Sequence, residues 1–160
     1  MSLYDKRLVL YDNELDPDCY AARLMLAFLD LPYEKVLIDN FPGNEKPPGH
    51  GGLPVLRDGD RYVGGTIPVL EHLAVSFGPT WTPRNRNWLK FADIGLWCAR
   101  EAREQALFGA DDRPDPKVVD AAARRLELMD DHLTELEHDG RRWFDGKAPS
   151  IADVALFAPA

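Results

Sequence analysis

The chain has 160 residues and a formal net charge of −8 at pH 7; 45% of it is hydrophobic and 29% charged. That length can bury a core for one domain or two small ones, and the acidic balance argues against a nucleic-acid surface, which needs basic patches. No apolar run reaches the roughly 20 residues of a membrane span, residues 1–7 carry no signal-type apolar stretch, and two cysteines are too few for a disulfide framework. A soluble, cytoplasmic, thiol-reduced protein is the expectation.

Leu8–Tyr11 reads as a short strand and Pro17–Leu29 as the helix after it. Between them Asp16-Pro17 is a cap-plus-proline signature, since proline at the first helical position needs no amide donor. Cys19 then falls in the first turn, where helix amides and the macrodipole favour a thiolate. A lone helix cysteine also serves as a small hydrophobe. Asp16 and Asp18 oppose ionisation there, and capping is a sufficient role for Asp16. Residues 33–38 read as a second strand, so a right-handed parallel crossover is expected. The Pro/Gly run over 40–52 predicts a surface loop, and its His50 is either solvated or turned to a ligand.

Residues 53–56 and 61–63 flank Asp58-Gly59, a hairpin signal. Leu53-Pro54 is open to two readings: a strand end that needs no donor, or a cis-proline exposing the Leu53 backbone to a ligand. Thr66 is a candidate N-cap for a helix with apolar positions Ile67, Val69, Leu70, Leu73, Ala74 and Phe77. Gly64-Gly65-Thr66 could bind an anion such as a carboxylate, or simply begin that helix. Residues 80–86 read as a polar linker. Beyond it come one helix over 88–108, with Trp88, Phe91, Ile94, Trp97 and Cys98 as apolar positions, and a second from Asp115-Pro116 to Gly140. In the latter Val119, Ala122, Leu126, Met129, Leu133 and Leu136 alternate steps of three and four. Ser150-Ile151-Ala152-Asp153 has the form of a capping box. His132 and His138 are not a same-face helical pair, and no metal site is expected.

These segments, in this order, resemble the glutathione transferase family over nearly the whole chain. The family's S-P-x-C or C-P-x-C before a helix with Arg is similar to Asp16-Pro17-Asp18-Cys19 followed by Arg23. Its V-P-V-L is similar to Leu53-Pro54-Val55-Leu56, and its E-S-x-A-I-x-x-Y-L to Gly65-Thr66-Ile67-Pro68-Val69-Leu70-Glu71-His72-Leu73. Trp143-Phe144-Asp145-Gly146 through Pro149-Ser150-Ile151-Ala152-Asp153 resembles its W-L-x-G…P-(S/T)-I-A-D.

The resemblance implies an α/β thioredoxin-like domain (β-α-β, loop, β-β-α) over 1–79 and an all-α domain over 80–160, with glutathione as co-substrate in the cleft between them. It assigns cis-Pro54 and the Leu53 backbone to the cysteinyl part of glutathione, Gly65 and Thr66 to its γ-glutamyl carboxylate, and the Asp16–Cys19 helix start to its sulfur. It further implies conjugation or thiolysis of a small electrophile, and a homodimer. Cys19 and Asp16 are the candidate catalytic residues; Leu53, Pro54, Gly65, Thr66 and His50 are the candidate binding residues. Asp16 stands where the family has Ser or Cys, Gly65 where it has Glu, and Gly52 where it has a basic or amide residue. The chain also stops where members continue with further helices. A shortened sequence, an incompletely covered apolar face on helix 115–139, and self-association or poor solubility arising from that face are the matching expectations. The altered motifs leave a second reading, a non-catalytic binding or assembly module on the same scaffold.

Overall fold

Leu8, Val9 and Leu10 are buried in succession, so both faces of strand β1 (Leu8–Asp12) are covered, as in the central strand of a layered α/β unit. The computed structural model describes residues 8–38, 52–109 and 113–159. Residues 40–51 of the expected loop, His50 among them, lie outside the described residues. The chain divides into two compact units, Met1–Thr82 and Pro83–Ala160.

In the first unit, β1 is followed by helix α1 (Pro17–Phe28) and strand β2 (Tyr33–Leu37), which pairs parallel to β1 with Leu8 opposite Tyr33. The helix ends in a Schellman motif: Asp30 adopts φ 51°, its N–H donates to Ala27 O, and Leu31 N–H donates to Leu26 O. Aspartate tolerates that left-handed conformation, so no glycine is needed to stop α1. Strands β3 (Val55–Asp58) and β4 (Arg61–Gly64) form the expected hairpin around Gly59, whose φ is 60°. Both are antiparallel to their neighbours, giving the sheet order β2-β1-β3-β4. Helix α2 (Thr66–Phe77) packs against α1, and the core is built from Val9, Leu10, Ala22, Met25, Leu26, Leu56, Leu70 and Leu73. This β-α-β, β-β-α unit is thioredoxin-like.

Thr66 is not the N-cap of α2. Gly65 is, with φ 92° and ψ 151°, and its carbonyl accepts the first helical bond, from Val69 N–H. The chain must turn sharply out of β4 to start the helix, and only glycine takes that backbone conformation without strain. Thr66 is thereby carried one position into the first turn.

The second unit is helical. The single helix expected over 88–108 is interrupted: α3 (Asn87–Lys90) passes into a π-helical turn, Phe91–Gly95, before α4 (Trp97–Phe108). Leu96 N–H reaches back to Phe91 O, one residue further than in an α-helix. The Phe91 ring lies over Gly95, where an added Cβ would come within 3.0 Å of Cδ2. The extra residue rotates the face, so Ile94 and Trp97, expected inside, are exposed while Leu96, Cys98 and Ala99 point inward.

Helix α5 (Pro116–His138) starts on Asp115, whose carboxylate accepts from Lys117 N–H at 2.9 Å. Its apolar stripe divides into two rows. Ala122, Met129 and Leu136 are buried, whereas Val119, Leu126 and Leu133 remain 41%, 38% and 41% exposed. Helix α6 (Ile151–Phe157) opens on the expected capping box. Ser150 Oγ accepts from Ala152 N–H, and the Asp153 carboxylate accepts from Ser150 N–H at 2.8 Å. Asp153 also accepts from Phe144 N–H, which ties the preceding loop to α6.

Candidate functional site

The sheet register gathers three segments at one end of the first unit. Tyr11 of β1 lies opposite Val55 of β3, and Val55 lies opposite Gly64 of β4. The C-terminal end of β1, the N-terminal end of β3 and the C-terminal end of β4 are therefore neighbours. From them extend the turn Asn13–Asp16, the Leu53-Pro54 step and the Gly65-Thr66 start of α2. Gly65 N–H donates to Pro54 O at 2.8 Å, fastening the last two together. The Leu53-Pro54 peptide bond is cis, Pro54 is buried and Leu53 is half-buried.

The two helix starts differ in electrostatic character. At α1, Asp16 Oδ1 accepts from Asp18 N–H at 2.7 Å and from Cys19 N–H at 3.3 Å, and Asp18 adds a second carboxylate to the first turn. The amides that would stabilise an incoming anion are already used by a side chain of this protein. At α2, no side chain caps the helix and no acidic residue lies in the first turn. Proline at position 68 removes one amide, which leaves Thr66 and Ile67 to supply the first-turn donors beside the Thr66 hydroxyl.

Cys19 is fully buried, and its Sγ accepts from Asn13 N–H at 3.3 Å. Burial pushes its pKa well above the ordinary thiol range, and the carboxylate of Asp16 raises it further. The helix-terminus effect anticipated from sequence is thus outweighed by desolvation. Cys19 is held as a neutral thiol that supports the turn from inside.

The turn rests on charges at the end of β1. Asp12 is fully buried and its Oδ1 pairs with Arg23 Nη1. The Arg23 guanidinium also donates to Asn13 O at 3.2 Å and to Glu14 O at 3.3 Å, and packs over the Tyr20 ring. Lys35 Nζ lies 4.0 Å from Asp12 Oδ2 and 2.9 Å from Glu14 Oε1. That hydrogen bond lowers the Glu14 pKa and raises that of Lys35. Sequence reasoning passed over Asp12. The available signal was a carboxylate ending an apolar strand, with an arginine among the inward residues of the next helix. Elsewhere in this unit, His72 Nε2 and Asp58 Oδ2 form a 3.0 Å contact between α2 and β3, away from this end of the sheet. Among the described residues no group of three His, Cys, Asp or Glu is placed to hold a metal ion, and no helix is long and apolar enough to cross a membrane.

No protein-family model matches the sequence, and no curated protein matches it. Solved structures do match over nearly the full chain. A glutathione S-transferase from Pseudomonas fluorescens Pf-5 is 24% identical, with 94% of this chain and 81% of that one covered at a TM-score of 0.80. A second Pseudomonas fluorescens Pf-5 protein, a glutathione transferase family member with two glutathione bound, is 21% identical, with 99% and 77% covered at a TM-score of 0.78. Ure2p in complex with glutathione is 18% identical, with 96% and 82% covered at a TM-score of 0.81. At these identities the likeness is one of architecture: the chain has the fold of the glutathione transferases, a thioredoxin-like unit followed by a helical one.

Proposed function

We propose that the protein binds glutathione at the end of the sheet formed by Asn13–Asp16, Leu53-Pro54 and Gly65-Thr66, and presents its thiol to a small electrophile. The observation that carries this reading is the uncapped start of α2 beside Pro54, joined to it by the Gly65–Pro54 hydrogen bond. In this arrangement the γ-glutamyl carboxylate of glutathione meets the Thr66 hydroxyl and the first-turn amides of α2. The Leu53 main chain pairs with the cysteinyl residue, and the sulfur faces the Asn13–Asp16 turn. The known structures with glutathione bound share the fold and support the choice of ligand. Gly65 brings no carboxylate of its own, so Thr66 carries the side-chain part of that contact.

The reaction follows from the ligand's chemistry. Glutathione loses its thiol proton to solvent, its sulfur attacks the electrophilic atom, a carbon–sulfur bond forms, and the leaving group departs with its electron pair. Cys19, buried and protonated, is not the attacking thiol in this scheme. Asp16 is the side chain nearest in sequence to the reacting end and holds the helix start in place. A cytoplasmic setting, which supplies reduced glutathione, and a homodimeric state complete the proposal.

A second reading keeps the binding and drops the turnover. It is favoured by Asp16, because a carboxylate at the α1 start uses the helix amides and repels a thiolate. Calorimetric titration with glutathione, followed by assay on a panel of electrophiles, separates the two. Binding with turnover supports the transferase, and binding without it the non-catalytic module. A gain of activity only in Asp16→Ser also assigns the natural protein to the second. No heat of binding rejects both.

A further inference from the structure

We infer that Arg23, anchored on the buried carboxylate of Asp12, is a positioning residue that sets the Asn13–Asp16 turn for the ligand's sulfur; this rests on the glutathione site proposed above. The fully buried Asp12 needs a countercharge, and Arg23 supplies it through Nη1. Asp12 Oδ2 has no hydrogen-bond partner among the described residues, and Lys35 at 4.0 Å is the cation facing it. The guanidinium does more than neutralise. Its two terminal nitrogens hold two successive carbonyls of the turn, Asn13 O and Glu14 O.

The planar fork spreads its donors over two terminal nitrogens and so spans the carboxylate and both carbonyls, whereas an ammonium carries its three donors on a single atom. The same turn is held from below by the bond from Asn13 N–H to Cys19 Sγ, and from its outer side by the Glu14–Lys35 pair. Asp16 N–H closes it on Asn13 O at 3.2 Å. The position of the Asp16 carboxylate is therefore referred, through two peptide units, to the guanidinium of Arg23. Asp12 and Arg23 thus link the sheet to Asp16, the carboxylate that caps α1 at the proposed sulfur subsite. A residue serving packing alone would need contact with Asp12 but none with both carbonyls.

The test compares wild type with Arg23→Lys, which keeps the charge against Asp12, and Arg23→Gln, which removes it. Two quantities are read: the glutathione Kd by calorimetry, and the pH at which bound glutathione ionises, followed by thiolate absorbance. We expect Arg23→Lys to fold, to raise Kd about fivefold or more, the equivalent of roughly one net hydrogen bond, and to shift the bound-thiol ionisation by about half a pH unit or more. Wild type and folded Arg23→Lys ionising bound glutathione at the same pH, with equal Kd, overturns the inference. If Arg23→Gln does not fold, Arg23→Lys alone decides. A wild type that fails to bind glutathione removes the proposed site and this inference together, a result distinguishable from binding that is indifferent to Arg23.

Discussion

Cys19 stays protonated in the fold at pH values where the unfolded chain ionises it, and this makes stability depend on alkaline pH in a calculable way. Its sulfur is fully buried, accepts from Asn13 N–H and sits close to Asp16, so its folded-state pKa is raised. In the unfolded chain the same thiol ionises near its ordinary value of about 8.5. A raised folded pKa means that the contribution is fully present below the unfolded value and is lost as pH rises above it. Once the unfolded thiol is ionised and the folded one is not, the loss approaches about 1.4 kcal/mol per pH unit. Integrated between about pH 9 and about pH 10, one such group removes about 1.2 kcal/mol. Urea unfolding of wild type and Cys19→Ala, followed by tryptophan fluorescence across that range, isolates the term, because the other titrating groups are common to both. The wild-type midpoint should fall more steeply than the variant's by that amount. Alkylation at mildly alkaline pH, read by mass spectrometry, should leave Cys19 unmodified in the folded protein. Parallel pH profiles, or alkylation of Cys19 as fast as a free thiol, refute a buried neutral thiol at the α1 start.

Gly65→Ala places a side chain at φ 92° and ψ 151°, and should cost about 1–3 kcal/mol by chemical denaturation, with little steric contribution because the nearest atom to the new Cβ is 3.6 Å away. Asp153→Ala removes the acceptor for both Ser150 N–H and Phe144 N–H. A loss of about 1–3 kcal/mol is expected in urea unfolding. Thr66→Ala removes a hydroxyl from the proposed carboxylate subsite and should weaken glutathione about tenfold or more in calorimetry while leaving urea unfolding close to wild type.

The order of elements was legible because each carried its own local signal. Asp-Pro before α1 and α5, Asp-Gly in the hairpin, and Ser150 with Asp153 before α6 each satisfy specific backbone groups and so leave a mark on nearby residues. What sequence reading got wrong depended on groups far apart or on backbone geometry. The π-helical turn at Phe91–Gly95 comes from a ring packing over a glycine, and no periodicity reports an inserted residue in advance; it reversed the burial of Ile94 and Trp97. Thr66 carried the side chain of a cap, but the sharp exit from β4 gave that position to Gly65. At the site, the helix-terminus rule applied to Cys19 gives the opposite protonation state; the opposing carboxylate of Asp16 was legible in the sequence, but the larger cause, desolvation, is supplied only by the folded neighbourhood. Arg23 stood out in the sequence only as the helix arginine of the family pattern; its partner Asp12 lies eleven residues away, and the pairing is visible only in the β1–α1 geometry.

The central claim concerns the end of the sheet where Pro54, Gly65 and the Asn13–Asp16 turn meet. Isothermal titration of the intact protein with reduced glutathione tests it most directly. Saturable one-site binding, weakened by Thr66→Ala and retained in Cys19→Ala, is the predicted result. No heat above dilution at millimolar glutathione, or binding indifferent to Thr66→Ala, contradicts it.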